Sequence, residues 1–271
     1  MQDAIDITLN ERPLSVSPGT TLFSLRDARK PAADVVVYNG APMREDVPLQ
    51  SGDAVVLIQR GEIPPEEELE ALMASRHTPG VHRRVKQACV GIAGAGGLGS
   101  AIAIALARVG VGRLVVADFD IVEPSNLNRQ QYFVRQLGQL KVEALRDNLR
   151  DINPYVQVDI HPVRLTPENI PAVFADAAVM VEAFDAADQK AMLTETWRMA
   201  YPDRPIVVAT GLAGHMPSNT IRTRRLGNLI IVGDGVTAAA PGTGLMAPRV
   251  GVAAHHQANA VLRLLLGETP E

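Results

Sequence analysis

The period of the apolar positions changes several times along the chain, and those changes divide it. Ile5, Ile7 and Leu9 alternate with Asp6 and Thr8, the two-residue period of a strand. Glu11-Arg12-Pro13 reads as a turn, and Leu14-Ser15-Val16 resumes the strand. Pro18-Gly19 breaks the chain, and Thr20 or Thr21 then caps a short helix carrying Leu22, Phe23 and Leu25. Val35-Val36-Val37-Tyr38 predicts a third strand ending in the turn Asn39-Gly40. After a turn over residues 49–53, Val55 to Ile58 predicts the last strand. Hairpin, helix and two further strands describe a small α+β unit over residues 1–61. Pro64-Pro65 before three glutamates opens a helix, because proline suits the first turn and acids complement its dipole. Leu69, Leu72 and Met73 form its apolar stripe to about Ser75. Residues 62–87 are therefore expected to be a helical linker, with a loop over 76–80 and a basic run, His82, Arg83, Arg84 and Lys86, leading onward.

From Val90 the pattern becomes that of a different architecture. Val90 to Ala93 is a short apolar run that ends in Gly94-Ala-Gly96-Gly97-Leu-Gly99. An Ala/Ile/Leu-rich helix follows from about Leu98, then a second apolar run from Leu114 to Ala117, closed by Asp118. Later runs predict strands at 156–160, 178–181 and 206–209, with helices over 141–152, 167–174 and 186–200 between them. Ile221 to Thr223 and Leu229 to Val232 read as an antiparallel pair, and Gly251 to Leu266 as a closing helix stopped by Gly267. Repeated strand–helix units predict a Rossmann-like α/β domain over residues 88–271, a mostly parallel sheet with helices on both faces.

The glycine turn brings in chemistry. Gly94, Gly96 and Gly99 have the spacing of a nucleotide-binding fingerprint, and Asp118 follows about 20 residues on, where a ribose hydroxyl would sit. Glycine lets the backbone approach a ligand closely, and the helix behind it aims amide groups at a phosphate. The fingerprint by itself leaves NAD and ATP both open. The polar stretch from Phe119 to Gln131 falls at the carboxyl end of the second strand, where open α/β sheets bind ligands.

Composition narrows the function classes. The 271 residues carry a net charge of −4 and only 4% aromatic residues, which argues against nucleic acid as the main partner. Cys89 is the only cysteine, so an intrachain disulfide and a CxxC-based zinc site are both excluded. The N-terminal stretch does not read as a signal peptide, and no apolar run is long enough to span a membrane. The expected location is cytoplasmic. The six histidines are scattered or, as His255-His256, neighbours on a helix, and are assigned no role.

Two resemblances add to this reading. The stretches VVVYNGAPM and LQSGDAVVLIQRG resemble the ubiquitin-like sulfur carriers of the ThiS type, which implies a β-grasp fold for residues 1–61. Those carriers end in a free Gly-Gly whose carboxylate is activated. Here Gln59-Arg60-Gly61-Glu62 continues into Ile63-Pro64-Pro65, so this unit has no such carboxylate unless the chain is cut near Gly61. It reads as a built-in carrier-like module used for contacts or regulation, or as a folding appendage.

Farther on, DFDIVEPSNLNRQ, then GQLK, then INP resemble the adenylating enzymes of the ubiquitin-activating superfamily, in particular ThiF and MoeB, over about residues 76–267. The tail GLMAPRVGVAAHHQANAVLRLLLG is similar to ThiF-like proteins of thiamine biosynthesis. The resemblance implies that ATP and Mg²⁺ are bound and that a carrier's terminal carboxylate is adenylated. It implies nucleotide contacts from Gly94, Gly96, Gly97, Asp118, Asn126, Arg129, Gln130 and Lys141, with Arg129 and Lys141 on the phosphates and Asp185 on the metal. It implies a homodimer in which an arginine near the N-terminus, here Arg76, with Arg83 and Arg84 as rivals, reaches the partner's nucleotide. The four-cysteine zinc of many relatives cannot form here, and no cysteine lies between about Gly211 and Met246 to link to a carrier. Any sulfur must then come from a separate donor.

Each assignment has a plainer alternative. Arg129 and Lys141 could be surface charges paired with Glu123 or Glu143. Asp185 could cap the helix that follows it. An NAD-dependent oxidoreductase explains the glycine fingerprint but leaves SNLNRQ and GQLK without a use. A non-catalytic protein, in which the fused carrier-like unit occupies the site and regulates a partner, is the remaining alternative.

Overall fold

The computed structural model describes residues 4–78 and 80–270. Pro79, in the loop expected over 76–80, lies outside the described residues. The chain forms two compact units that meet in sequence at residue 79.

The first unit contains strands β1 (Ile5–Leu9), β2 (Arg12–Val16), β3 (Val35–Tyr38), β4 (Ala41–Met43) and β5 (Ala54–Ile58) and helices α1 (Leu22–Arg29) and α2 (Glu66–Ala74). The sheet order is β2-β1-β5-β3-β4, with β1 parallel to β5 and the other pairs antiparallel. The first hairpin turns at Asn10 and Glu11, both at positive φ, rather than at Glu11-Arg12-Pro13. Pro13 lies within β2, a strand at the edge of the sheet, where its missing N–H is tolerated. Thr21 caps α1, and its hydroxyl and that of Ser24 close a capping box. Ile7, Leu22, Leu25, Val36, Leu49, Val55 and Leu57 fill the core between α1 and the sheet. Strand β4, which the periodicity did not predict, pairs with β3 across Asn39-Gly40. It is too short and too exposed to show an alternation.

Helix α2 is tied to this unit by charge. The Asn10 amide donates to Glu68 Oε1 at 2.7 Å, and the Lys30 ammonium lies 2.6 Å from Glu62 and 3.9 Å from Glu68. The segment expected as a linker is thus shared: α2 belongs to the first unit and α3 (Val81–Lys86) to the second. Helix α3 was expected only as a basic run. At six residues it shows too little periodicity to read, and Val85 alone anchors its buried side.

The second unit contains β6 (Cys89–Ala93), α4 (Gly97–Arg108), β7 (Arg113–Ala117), α5 (Lys141–Ile152), β8 (Gln157–His161), α6 (Ile170–Val173), β9 (Val179–Glu182), α7 (Ala187–Ala200), β10 (Ile206–Ala209), β11 (Arg222–Leu226), β12 (Leu229–Gly233) and α8 (Ala247–Leu265). Its seven strands lie in the order β11-β12-β10-β9-β6-β7-β8, all parallel but the edge strand β11. Strands β11 and β12 pair as expected, but β12 also continues the parallel sheet beside β10. Both sheet faces are covered. Leu114 and Val116 pack with α4, α5 and α8, whereas Val115 and Ala117 join Ile170, Phe174, Leu193 and Trp197 on the other face. Helix α8 begins at Ala247, a turn earlier than expected, because Pro248 suits a first turn. Among the described residues no helix is long and apolar enough to cross a membrane.

Strand β6 is central, with β7 on one side and β9 on the other. The connections run outward in opposite directions from it, so a crevice opens at the carboxyl ends of β6, β7 and β9.

Two glycines in this unit should respond oppositely to alanine. A Cβ on Gly99 would sit 1.9 Å from the Gly94 carbonyl oxygen, whereas one on Gly251 meets nothing within 4 Å. Gly99→Ala should cost about 1–3 kcal/mol through overpacking. Gly251→Ala should stabilise α8 by up to ~1 kcal/mol. Urea unfolding of the two variants checks the pair.

Candidate functional site

The crevice is a cavity of about 690 Å³. Its lining includes Gly94, Gly96, Gly97, Asp118, Arg129, Gln130, Lys141 and Asp185. They come together from four segments: the turn between β6 and α4, the tip of β7, the loop leading into the start of α5, and the turn after β9. Asn126 does not line the cavity. It is buried in a 3₁₀ turn, where its side-chain Oδ1 accepts from the Glu123 amide at 3.0 Å. Arg76 is exposed in the first unit, beyond the end of α2.

The glycine turn is built by close approach. Gly94 has φ +98°, and a Cβ there would come within 2.9 Å of the Ala183 carbonyl oxygen. Gly96 differs: a Cβ would meet only the Gln130 side-chain nitrogen, at 3.9 Å, so the backbone there faces open space. Asp118 braces the turn, with Oδ2 accepting from the Ala95 amide at 2.6 Å and Oδ1 from the Asp120 amide at 2.8 Å. A carboxylate has about four lone-pair sites, so acceptor capacity remains for a hydroxyl in the cavity. The Tyr132 hydroxyl donates to Ala95 O at 2.6 Å, and burial pushes that phenol well above its ordinary range.

The cations differ in how they are held. Lys141 is almost fully buried at the start of α5, with Nζ 2.8 Å from Asp120 Oδ2. Its partner is thus Asp120, not Glu143. Arg129 donates to Asn128 Oδ1 at 2.9 Å and Ser125 O at 3.3 Å, and among the described residues it has no acidic partner. Gln130 is 7% exposed, and its side-chain oxygen is buried without a hydrogen bond.

Asp185 does not cap α7. Ala186 holds that position and makes no side-chain cap, and among the described residues the exposed Asp185 carboxylate has no bonded partner. The bonds in this turn go instead to Glu182, the last residue of β9 and fully buried. Its carboxylate accepts from Lys190 at 2.9 and 3.0 Å, from the Phe184 amide at 2.7 Å and from the Ala209 amide at 3.3 Å. Burial pushes the Glu182 carboxyl up, while the Lys190 ammonium opposes the shift. Sequence reading gave Glu182, Lys190 and Asp120 no role. The available signal was an acid closing an apolar strand, which must find a partner, with Lys190 on the following helix.

The far wall, including Leu212, Thr237, Ala238 and Leu245, comes from the loops around β12. A buried pair anchors it: Arg249 Nη2 lies 2.7 Å from Asp234 Oδ2 and also donates to Thr220, and Nη1 donates to Met216 O and Pro217 O. Burial opposes ionisation of Asp234, but the Thr237 and Val236 amides, the Thr237 hydroxyl and Arg249 outweigh it and lower the pKa to about 2.

Fold and crevice define a Rossmann-like nucleotide-binding domain, preceded by a β-grasp unit. Residues 70–271 match the ThiF family and residues 5–61 match ThiS-like ubiquitin. The chain belongs to the ThiF family. It is 37% identical over 130 residues to the adenylyltransferase and sulfurtransferase UBA4 of Candida glabrata, covering 48% of this chain and 30% of that protein. It is 38% identical over 104 residues to the probable adenylyltransferase/sulfurtransferase MoeZ of Mycobacterium tuberculosis, covering 38% of this chain and 26% of that one. The chain thus spans less than a third of either relative. In fold it is similar to the E. coli tRNA N6-threonylcarbamoyladenosine dehydratase TcdA in complex with AMP, with a TM-score of 0.68 and 21% identity over 76% of this chain and 98% of that one. It is also similar to E. coli MccB, with a TM-score of 0.55, 21% identity and coverage of 70% and 60%, in a complex with ATP.

The Asp234–Arg249 pair has a pH signature. The folded pKa lies below the ordinary carboxylate value, so the contribution of ionised Asp234 is complete above pH ~4 and lost as pH falls toward 2. Asp234→Asn should therefore be less stable than the parent protein at neutral pH, with the gap closing between pH ~4 and ~2. Unfolding free energies against pH measure it.

Proposed function

We propose that this chain is an ATP-dependent adenylyltransferase acting on the C-terminal glycine carboxylate of a separate ThiS-like sulfur carrier that ends in Gly-Gly. The reading rests on one observation. The glycine turn, Gln130, and Arg129 and Asp185, which have no oppositely charged partner among the described residues, all line one cavity at the switch point of the sheet.

These residues suit Mg·ATP. The open backbone at Gly96 and the N-terminus of α4 would receive phosphate oxygens. Arg129 and Lys141 would neutralise phosphate charge, and Asp118 would accept from the ribose. Among the described residues no group of three or more His, Cys, Asp or Glu could hold a metal by itself. That suits Mg²⁺, which is commonly held by one or two carboxylates plus substrate phosphates, here Asp185 with the triphosphate. Bound Mg²⁺ would supply charge neutralisation on those phosphates.

In the reaction a carboxylate oxygen of the carrier forms a bond to the α-phosphorus. The bond from that phosphorus to the oxygen bridging the α- and β-phosphates breaks, and pyrophosphate leaves with the electron pair. No proton and no protein nucleophile are needed, so the protein's task is alignment and charge stabilisation. The acyl-adenylate is then open to a separate sulfide-level donor, whose sulfur forms a bond to the acyl carbon as the bond from that carbon to the AMP oxygen breaks, giving a thiocarboxylate and AMP. Thiamine biosynthesis is favoured by the likeness of the closing helix. A cytoplasmic homodimer, with Arg76 reaching the partner's nucleotide, completes the reading.

The first unit is not the carboxylate substrate in this reading. Gly61 is peptide-bonded within a turn in which the Glu62 amide donates to Gln59 O at 3.2 Å, and the chain then folds back as α2.

ATP–pyrophosphate exchange tests the proposal. Exchange should require Mg²⁺ and an added carrier ending in Gly-Gly. Arg129→Ala and Asp185→Ala should each lower it by ~100-fold or more, the scale of removing a group aimed at developing charge. No exchange with any carrier, despite ATP binding, would move the protein to the regulatory reading. A melting-temperature rise with NAD but not ATP would support an oxidoreductase. If Arg76 acts across a dimer, mixing Arg76→Ala with Lys141→Ala should recover activity that neither variant has alone.

A further inference from the structure

Asp185 lies in a turn with an unusual economy of bonds. An acid just before a helix ordinarily caps it, and its oxygen is then taken by the first-turn amides. Here α7 starts without a side-chain cap, and among the described residues the Asp185 side chain has no bonded partner. The turn is held from below by Glu182. One of its oxygens takes the Phe184 amide, in the residue just before Asp185. Both take the Lys190 ammonium, on the first turns of α7. The Ala209 amide, at the end of β10, reaches the second oxygen. The Glu182 backbone is fixed as well, because its carbonyl accepts from the Gln257 side chain of α8 at 3.1 Å. One buried carboxylate therefore joins the strand before Asp185, the helix after it and the neighbouring strand end.

We propose that Glu182, acting with Lys190, is a positioning residue that holds the β9–α7 turn so that Asp185 stays unbonded and aimed at the divalent cation of a bound nucleotide. The inference rests on the adenylation reading for its use, and its geometry stands on the bonds of Glu182. Glu182 touches neither nucleotide nor metal. Its removal loosens the metal ligand, while Asp118 and Arg129 are held by bonds on other elements.

The test uses the full chain and reads binding rather than turnover. Calorimetry of ATP is carried out in EDTA and across a Mg²⁺ series, with Mn²⁺ bound alongside ATP followed by electron paramagnetic resonance. In Glu182→Gln the metal-free ATP affinity should stay within about twofold of the parent protein, because Glu182, unlike Lys190, does not line the cavity. In both Glu182→Gln and Lys190→Met the Mg²⁺ and Mn²⁺ concentrations for half-saturation should rise about tenfold or more, the scale for losing a group that orients a metal ligand. Lys190→Arg keeps the ion pair and should restore most of the metal affinity. Unchanged metal dependence in both Glu182→Gln and Lys190→Met would overturn the inference. An equal fall in metal-free ATP affinity in Glu182→Gln, or a Lys190→Arg as impaired as Lys190→Met, would overturn it too. If Glu182→Gln does not fold, the two Lys190 variants decide. A parent protein that binds Mg·ATP but shows no pyrophosphate exchange would sink the adenylation reading and leave this one standing.

Discussion

The close approach of the chain to itself between Gly94 and Gly99 is the constraint on which the second unit depends. The two backbones are so near that any side chain at Gly99 would enter the Gly94 carbonyl. That contact sets the angle at which α4 leaves β6, and the angle decides where the amides of α4 point. Everything else at the crevice braces it. Asp118 fastens the turn to the tip of β7 through the Ala95 amide, and Tyr132 fastens it to the start of α5 through the Ala95 carbonyl. The Ala183 carbonyl closes the other side. Three neighbouring elements thus share one small turn, and the cavity is shaped before any ligand arrives, which keeps the ordering cost of binding low.

Charge at the crevice is divided between groups spent on the fold and groups left over. Glu182 with Lys190 and Asp234 with Arg249 are ion pairs with buried carboxylates, each completed by backbone amides or a hydroxyl. Removing one partner from such a pair strands a buried charge, so these pairs act as fixed joints. Lys141 is intermediate, being buried itself but paired with the half-exposed Asp120. Among the described residues Arg129 and Asp185 have no oppositely charged partner. A cation and an anion left unpaired on one cavity suit a ligand that carries both signs, as a metal-bound polyphosphate does. A dinucleotide without a metal would use the cation and leave Asp185 facing its phosphates.

Much of this was legible in the chain, and the parts that were not have physical reasons. The parallel strands β6, β7, β9 and β10 are buried on both faces, so they read as short continuous apolar runs closed by glycine or acid. The glycine spacing and Asp118 were readable because a turn that tight admits no other residue at Gly94 and Gly99. Strand β4 and helix α3 escaped because three and six residues cannot display a period. The plain alternatives for Lys141 and Asp185 failed on geometry that sequence does not carry. Lys141 finds an acid two residues past Asp118 rather than one on its own helix, and Asp185 sits one position before the cap. Glu182 was visible as an acid at a strand end, but its partner lies eight residues on, across a turn whose path only the fold supplies.

The first unit resembles a sulfur carrier in fold, but its last strand runs on into bonded chain. Its order of strands and its core suit a sulfur carrier, and the match to ThiS-like ubiquitin covers residues 5–61. A carrier delivers its carboxylate on a tail that must thread, extended and unpaired, into another protein's crevice. Here the residues after β5 are committed elsewhere. Arg60 is bonded to Asp34 through its amide and its guanidinium, Glu62 holds Lys30, and Glu68 holds Asn10. Freeing that segment would break several bonds at once, and even then Gly61 would carry an amide, which is a far poorer nucleophile toward phosphorus than a carboxylate. The segment that makes a carrier reactive has been turned into the connection to the nucleotide-binding unit. As long as the chain is uncut at Gly61 this unit offers no terminal carboxylate, and the proposed reading takes the carboxylate from another molecule.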